Sequence, residues 1–332
     1  MKTIALFFGG LSNEAAVSIM SARNIAASLD KRHFRLRLVY WRKSDRRFYL
    51  VKGFSSAELK AGRELRIEEF KRSFEVALPI THGRYGEDGI LQAIFESQGV
   101  KYCGCRVLGS ALCMDKGAFK DMMKASGIEQ VGYWIIDYKA DSASEIAAKM
   151  RQIKKMLPGL LFIKPANSGS SVGVSRVSKP TELPSALRLA KQHDSRVIIE
   201  KGLAGPREIE VAVLGNSELL VSQPGELALA KDFYDYNDKY TRGEAKPVIP
   251  ARLSSAQMKR VRELATRAYR LANCQGFARV DFFLSRGRFY LNEINTLPGF
   301  TDISMFPMLM AESGLDYKEL LRRIINLALL IS

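Results

Sequence analysis

Residues 3–8 form a continuous apolar run, the pattern of a strand buried on both faces of a parallel sheet. A Gly9-Gly10 turn follows, and the spacing to about Leu29 is helical, with Ser12 or Asn13 placed to cap it. Strands are predicted near Phe34–Trp41 and at Phe74–Ile80. The polar, charge-rich stretch 42–73 between them reads as a variable surface segment. The turn-rich Thr81–Gly89 leads into another helix, and this alternation argues for an α/β layer on a parallel sheet. After Tyr102-Cys103-Gly104 the texture changes. Helix Asp115–Ala125, strand Trp134–Tyr138, an amphipathic helix at 142–156, strand Leu160–Pro165, a Gly/Ser loop, a helix near 181–193 and strand Val197–Glu200 make a small α+β unit. Alternating strands at Glu208–Leu214, Phe277–Ser285 and Arg288–Asn295 follow, with a long helix Ser254–Ala272 between the first two and a closing helix at 316–330. Three units are therefore expected: 1–112, 113–206 and 207–332.

Composition narrows the class. The 332 residues are 47% hydrophobic and 26% charged, as in a soluble globular protein, and no apolar run approaches a membrane span. The start resembles a signal peptide only briefly, because Gly9-Gly10 stands where a cleavage site should be. Four cysteines are too few for a disulfide scaffold, so a reducing cytoplasm is expected. Cys103 and Cys105, placed on one strand face without a further ligand, read as core, as do Trp41 and Trp134. The net charge of +16 is spread over the chain without base-stacking aromatics between the cations. It reads as a solvated basic surface, with no nucleic-acid or membrane partner expected.

The densest chemistry lies in the last third. Arg279 and Asp281 share one face of a strand, and Glu293 and Asn295 share one face of the next. If the hairpin pairs, two carboxylates, an amide oxygen and a guanidinium meet. The oxygens suit Mg²⁺ and the arginine suits developing negative charge. The Pro298-Gly299 turn would add backbone N–H groups. Lys164 ends a buried strand before Asn167–Gly173, a loop able to cradle phosphate, although no Walker A motif occurs. Gly169-Ser170-Ser171-Val172-Gly173 also matches the nucleophile elbow of serine hydrolases, but that elbow needs a helix after the serine, and Val172–Val177 reads as a strand. Ile198-Ile199-Glu200-Lys201 could hydrogen-bond an adenine edge. Met305, Met308 and Met310 read as apolar contacts.

Together these segments resemble the ATP-grasp superfamily, and within it the D-alanine–D-alanine ligases, over nearly the whole chain. The resemblance rests on Gly9-Gly10-x-Ser12-x-Glu14-x-x-Val17-Ser18, His82-Gly83-Arg84-x-Gly86-Glu87-Asp88-Gly89, Met114-Asp115-Lys116 and Lys164-Pro165. It continues through Gly169–Gly173, Phe233-Tyr234-Asp235-Tyr236-x-x-Lys239-Tyr240 and Asn292-Glu293-Ile294-Asn295-Thr296-Leu297-Pro298-Gly299. It implies an ATP-grasp fold: a Rossmann-like α/β domain carrying the first D-alanine site, a small central α+β domain, and a larger C-terminal α+β domain with the metal and catalytic residues.

The resemblance also implies an acyl-phosphate mechanism that makes D-alanyl-D-alanine for peptidoglycan, in a homodimeric enzyme. Lys116, Lys164, Lys239, Ser170 and Ser171 would face the triphosphate. Glu200, Lys201 and Glu208 would hold adenine and ribose, with Leu203 and Phe283 as walls. Asp281, Glu293 and Asn295 would bind two Mg²⁺ ions, with Mn²⁺ able to substitute. Arg279 and the Gly299 N–H would form an oxyanion hole. Glu14 would take the first ammonium and, with Ser170 and Tyr240, close the site. Ser304, beside Met305, would take the second substrate's carboxylate. His82 would orient or deprotonate the second substrate, or else serve as a structural turn histidine. Tyr240, where D-lactate-using relatives tend to carry histidine, favours an amine as second substrate. Ala15-Ala16 departs from the charged or histidine side chains frequent in relatives. The alternatives are a D-alanine–D-lactate or D-alanine–D-serine ligase, or a non-catalytic nucleotide-binding module.

Overall fold

The computed structural model describes residues 1–157, 159–169, 172–228 and 246–330. Its strands form three sheets in chain order. The first contains β1 (Lys2–Gly9), β2 (Phe34–Trp41), β3 (Phe48–Val51), β4 (Arg63–Glu64), β5 (Val76–Pro79) and β6 (Lys101–Tyr102), ordered β4-β3-β2-β1-β5-β6. β2, β1, β5 and β6 are parallel, while β3 and β4 add antiparallel to the edge. The apolar run at the start has the predicted consequence. Ile4, Leu6 and Phe8 pack on one side of the sheet, Ala5 and Phe7 on the other, and all five are fully buried.

The stretch 42–73 is a correction. It supplies β3, β4 and the helices Ser56–Lys60 and Phe70–Ser73, not a featureless surface. Its few apolar residues do the folding: Phe48, Leu65 and Phe70 are buried, and the Phe70 ring lies 5.3 Å from that of Phe7. Charges between them face water, as at Arg47–Glu64, and hide the short edge strands from a hydropathy pattern.

The second sheet holds β7 (Tyr133–Asp137), β8 (Leu161–Pro165), β9 (Ser175–Val177) and β10 (Arg196–Lys201), ordered β7-β10-β8-β9 and antiparallel throughout. Helices Ala143–Lys154 and Leu183–His193 supply its core partners Ile153, Leu183 and Ala190. The third sheet holds β11 (Arg207–Gly215), β12 (Leu219–Val221), β13 (Gly225–Ala228), β14 (Lys246–Val248), β15 (Phe277–Ser285) and β16 (Arg288–Asn295). Its order is β14-β13-β11-β15-β16, with β12 also on β11. Helix Ser255–Leu271 covers one face with Val261, Ala265 and Ala268, and is opened by a capping box of Ser254 and Gln257. A β-bulge interrupts the β15–β16 pairing after Asp281.

Smaller expectations also shift. Glu14, not Ser12 or Asn13, precedes the first helix, Ala15–Ser28, and the Ser12 hydroxyl accepts from the Glu14 N–H while donating to the His82 carbonyl. Cys103 and Cys105 lie beyond the end of β6, so they share no strand face, yet both are buried. Trp41 is buried but Trp134 is only partly covered. No helix among the described residues is long and apolar enough to cross a membrane.

Candidate active site

The end of β1 and the turn after β5 bring Glu14 and His82 together. Glu14 is nearly buried, and its Oε2 lies 2.4 Å from where a Cβ on Gly83 would stand. Gly83 also has φ of +75°, so only glycine fits this approach. Nδ1 of His82 lies 3.0 Å from the Leu297 carbonyl and 3.5 Å from Glu87 Oε1. A carbonyl can only accept, so Nδ1 carries the proton. Nε2 is buried without a hydrogen-bond partner among the described residues. Burial alone would lower the His82 pKa, but the carboxylates of Glu87 and Glu14 outweigh it and hold the imidazole above its ordinary value.

The second sheet contributes a cationic cluster. Glu200, near the end of β10, is 3% exposed and bridges two ammoniums: Lys120 Nζ at 2.9 Å and Lys164 Nζ at 2.6 Å. Lys164 comes from β8 beside β10, in register with Ile198. Lys120 comes from helix Lys116–Ala125 and is 1% exposed. Burial pushes the Glu200 carboxyl up, yet the two lysines pull it down to about 2. Lys164, penalised by burial, is held above its ordinary value by Glu200. One turn before Lys120, Lys116 donates to the Ser168 carbonyl at 2.7 Å and lies 3.7 Å from Glu293 Oε2.

The third sheet contributes an anionic row. Cross-strand register sets Glu210 of β11 opposite Asp281 of β15, and Asp281 opposite Glu293 of β16. Arg279 grips Asp281 with both prongs, Nε to Oδ1 at 2.8 Å and Nη2 to Oδ2 at 2.7 Å, and its Nε lies 3.1 Å from Glu210 Oε2. Burial works against the guanidinium charge, but Asp281 and Glu210 more than restore it. Asn295 donates through Nδ2 to Asp281 Oδ2 at 2.8 Å, leaving its amide oxygen as an acceptor. Close by, the Ser304 hydroxyl accepts from the Thr301 N–H at 2.9 Å, and a Cβ on Gly299 would meet that hydroxyl at 2.6 Å.

Glu14, His82, the anionic row, Gly299, Ser304 and, from the cationic cluster, Lys116, Lys164 and Glu200 open onto one cavity of about 640 Å³ between the three sheets. Every residue predicted for the site that lies within the described chain lines it, including Lys201, Leu203, Glu208, Phe283 and Met305. Ser170, Ser171, Lys239 and Tyr240 lie outside the described residues. The nucleophile elbow fails, since Val172 and Gly173 form a turn leading to strand β9. Three participants escaped the sequence reading: Glu87, Lys120 and Glu210. Glu210 stands two residues after Glu208 and Lys120 four after Lys116, so strand and helix periodicity put each on the face of a recognised neighbour.

Oxygen donors dominate the anionic row. Among the described residues no three His, Cys, Asp or Glu side chains form a ready-made metal cage. Two carboxylates and an amide oxygen still fit Mg²⁺, which takes few protein ligands and completes its shell with water and phosphate.

Two family models match the chain: D-ala D-ala ligase N-terminus over residues 3–105 and D-ala D-ala ligase C-terminus over residues 122–326. A D-alanine–D-alanine ligase of Chlorobaculum tepidum is 42% identical over 99% of this chain and 97% of its own length. One from Caldicellulosiruptor bescii is 37% identical over 98% and 94%. Among solved structures, the VanG D-Ala:D-Ser ligase from Enterococcus faecalis aligns with a TM-score of 0.87 at 33% identity, over 98% of this chain and 99% of that one. The D-alanine–D-alanine ligase from Coxiella burnetii aligns with a TM-score of 0.84 at 31% identity, over 99% and 95%.

Proposed function

The chain belongs to the D-alanine–D-alanine ligase family, with the ATP-grasp fold, and on that premise we propose how its own residues carry out the ATP-dependent joining of two D-alanines for peptidoglycan precursor synthesis. The observation that carries the assignment of roles is the single cavity in which a cation-rich wall faces an anion-rich one.

ATP enters along the cationic wall. Lys116 and Lys164 meet its phosphates, with Ser170, Ser171 and Lys239. Glu200, Lys201 and Glu208 hold adenine and ribose between Leu203 and Phe283. The Glu200 carboxylate is already committed to Lys120 and Lys164, so its side chain acts on the nucleotide as a fixed acceptor. Glu14 binds the ammonium of the first D-alanine and turns its carboxylate toward the γ-phosphate. Attack there forms an acyl phosphate and releases ADP. Ser170 and Tyr240, with Glu14, keep water from that intermediate.

The second D-alanine is held through its carboxylate by Ser304, beside Met305. Nε2 of His82, with Nδ1–H fixed by the Leu297 carbonyl, is oriented to accept a proton from its ammonium. The freed amine attacks the acyl carbon, Arg279 and the Gly299 N–H stabilise the oxyanion, and phosphate leaves. Asp281, Glu293 and Asn295 would hold two Mg²⁺ ions, or Mn²⁺ in their place, which neutralise phosphate charge during transfer. The units 1–112, 113–206 and 207–332 correspond to the first-substrate, central and catalytic parts. A homodimer in the cytoplasm, where the four unpaired cysteines stay reduced, completes the proposal.

Phosphate release from Mg-ATP, with D-alanine, L-alanine, D-serine or D-lactate and mass detection of product, tests it. D-alanine should suffice for turnover and yield D-alanyl-D-alanine. A mixed product formed only when D-serine or D-lactate is added would move the second-substrate assignment, and no D-amino-acid-dependent turnover would remove it.

A further inference from the structure

The mechanism leaves Glu210 without a task, although it is nearly buried and stands within the anionic row. Glu210, Asp281 and Glu293 occupy directly paired positions on β11, β15 and β16, where Cβ atoms of neighbouring strands lie about 5 Å apart. Arg279, two residues before Asp281 on the same face, reaches both Asp281 and Glu210. Asp281 therefore has two competing demands. Its oxygens are filled by the guanidinium fork and by the Asn295 amide, yet those oxygens are the ones a divalent cation needs. A cation that draws on both oxygens of Asp281 must loosen the Arg279 fork. An arginine released in a largely buried site needs another carboxylate, and Glu210 is already 3.1 Å from its Nε.

We propose that Glu210 is a positioning residue that retains the Arg279 guanidinium when Asp281 is given over to a divalent cation, so that metal binding and the oxyanion-stabilising arginine coexist. The inference rests on the assignment of Asp281 and Glu293 to the metal. It makes Glu210 a relay: the arginine slides from two carboxylates to one, keeps its charge paired, and stays facing the cavity.

The test is Mn²⁺ binding to the full chain in the presence of ADP, with free Mn²⁺ followed by electron paramagnetic resonance and folding checked by thermal melting. Glu210→Gln is isosteric, frees Arg279 to press on Asp281, and should weaken Mn²⁺ about tenfold, the size of one lost charged hydrogen bond. Glu210→Asp keeps the charge and should stay within about threefold. In an Arg279→Gln background the Glu210→Gln effect should shrink below about threefold, because the competitor is gone. If Arg279→Gln fails to fold, Arg279→Met, which fills the space without the charge, takes its place. An unchanged Mn²⁺ affinity in Glu210→Gln overturns the proposal. So does an equal loss in both arginine backgrounds, which would make Glu210 a ligand or a bare through-space charge. Asp281→Asn separates the two levels: if it leaves Mn²⁺ binding intact, the metal assignment itself fails, whereas a loss there with a neutral Glu210→Gln removes the relay alone.

Discussion

The two charged walls of the cavity are near mirror images. Around Glu200, two ammoniums share one carboxylate, so a positive charge is left over. Around Asp281, the described residues set three carboxylates against Arg279 and a more distant Lys116, so the balance is negative. Among the described residues neither cluster is neutral by itself, although burial penalises net charge. In the proposed mechanism each is completed by a ligand of opposite sign: the polyphosphate of ATP for the first, divalent cations for the second. The walls differ in backing too. Glu200 and Lys120 are locked in the interior, whereas Arg279 stands between two carboxylates, and the proposed relay would move it from both to one. On that proposal one wall holds still and the other exchanges.

Lys120→Met should have the largest effect. It leaves Glu200 with one partner inside the fold, and removing one member of a buried ion pair costs about 3–5 kcal/mol. Urea unfolding measures this, and wild-type stability would break the mirror by showing that one lysine suffices. Arg279→Ala comes next. Its loss of transition-state stabilisation should lower kcat by about 10² to 10³-fold. A drop in ATP affinity alone, with kcat preserved, would place the arginine on the nucleotide instead.

The third effect is a pH dependence. Glu200 is depressed from 4.5 to about 2, so its contribution is fully present above pH 4.5 and is lost as the pH falls toward about 2. A shift of that size corresponds to about 3 kcal/mol. Acid unfolding of Glu200→Gln should lack this component, and identical acid profiles for the two proteins would refute the assignment.

Much of this arrangement was legible in the sequence wherever function and local period coincide. The strand at residues 3–8, the hairpin carrying Arg279, Asp281, Glu293 and Asn295, and the lysine ending a buried strand all declare themselves through spacing. The unread parts depend on pairings distant along the chain. Glu210 acquires its meaning from Asp281, 71 positions later, through β11–β15 register. Lys120 meets Glu200 only because a helix packs on the second sheet. Strands β3 and β4 escaped because four and two residues, flanked by charge, leave too short a pattern to count.

The bulge on β16 decides whether there is a site at all. Phe289 and Leu291 pack in the core, and so does Ile294, an odd-to-even change that strict alternation forbids. Asn292, the residue without a partner on β15, absorbs the step and turns Glu293 and Asn295 toward the cavity. Were Asn292 paired in regular alternation instead, Glu293 and Asn295 would both turn into the hydrophobic layer beneath. The hairpin is therefore a frame-sensitive element: the same residues paired without the bulge would show Tyr290, Asn292 and Ile294 to the cavity in place of the two ligands.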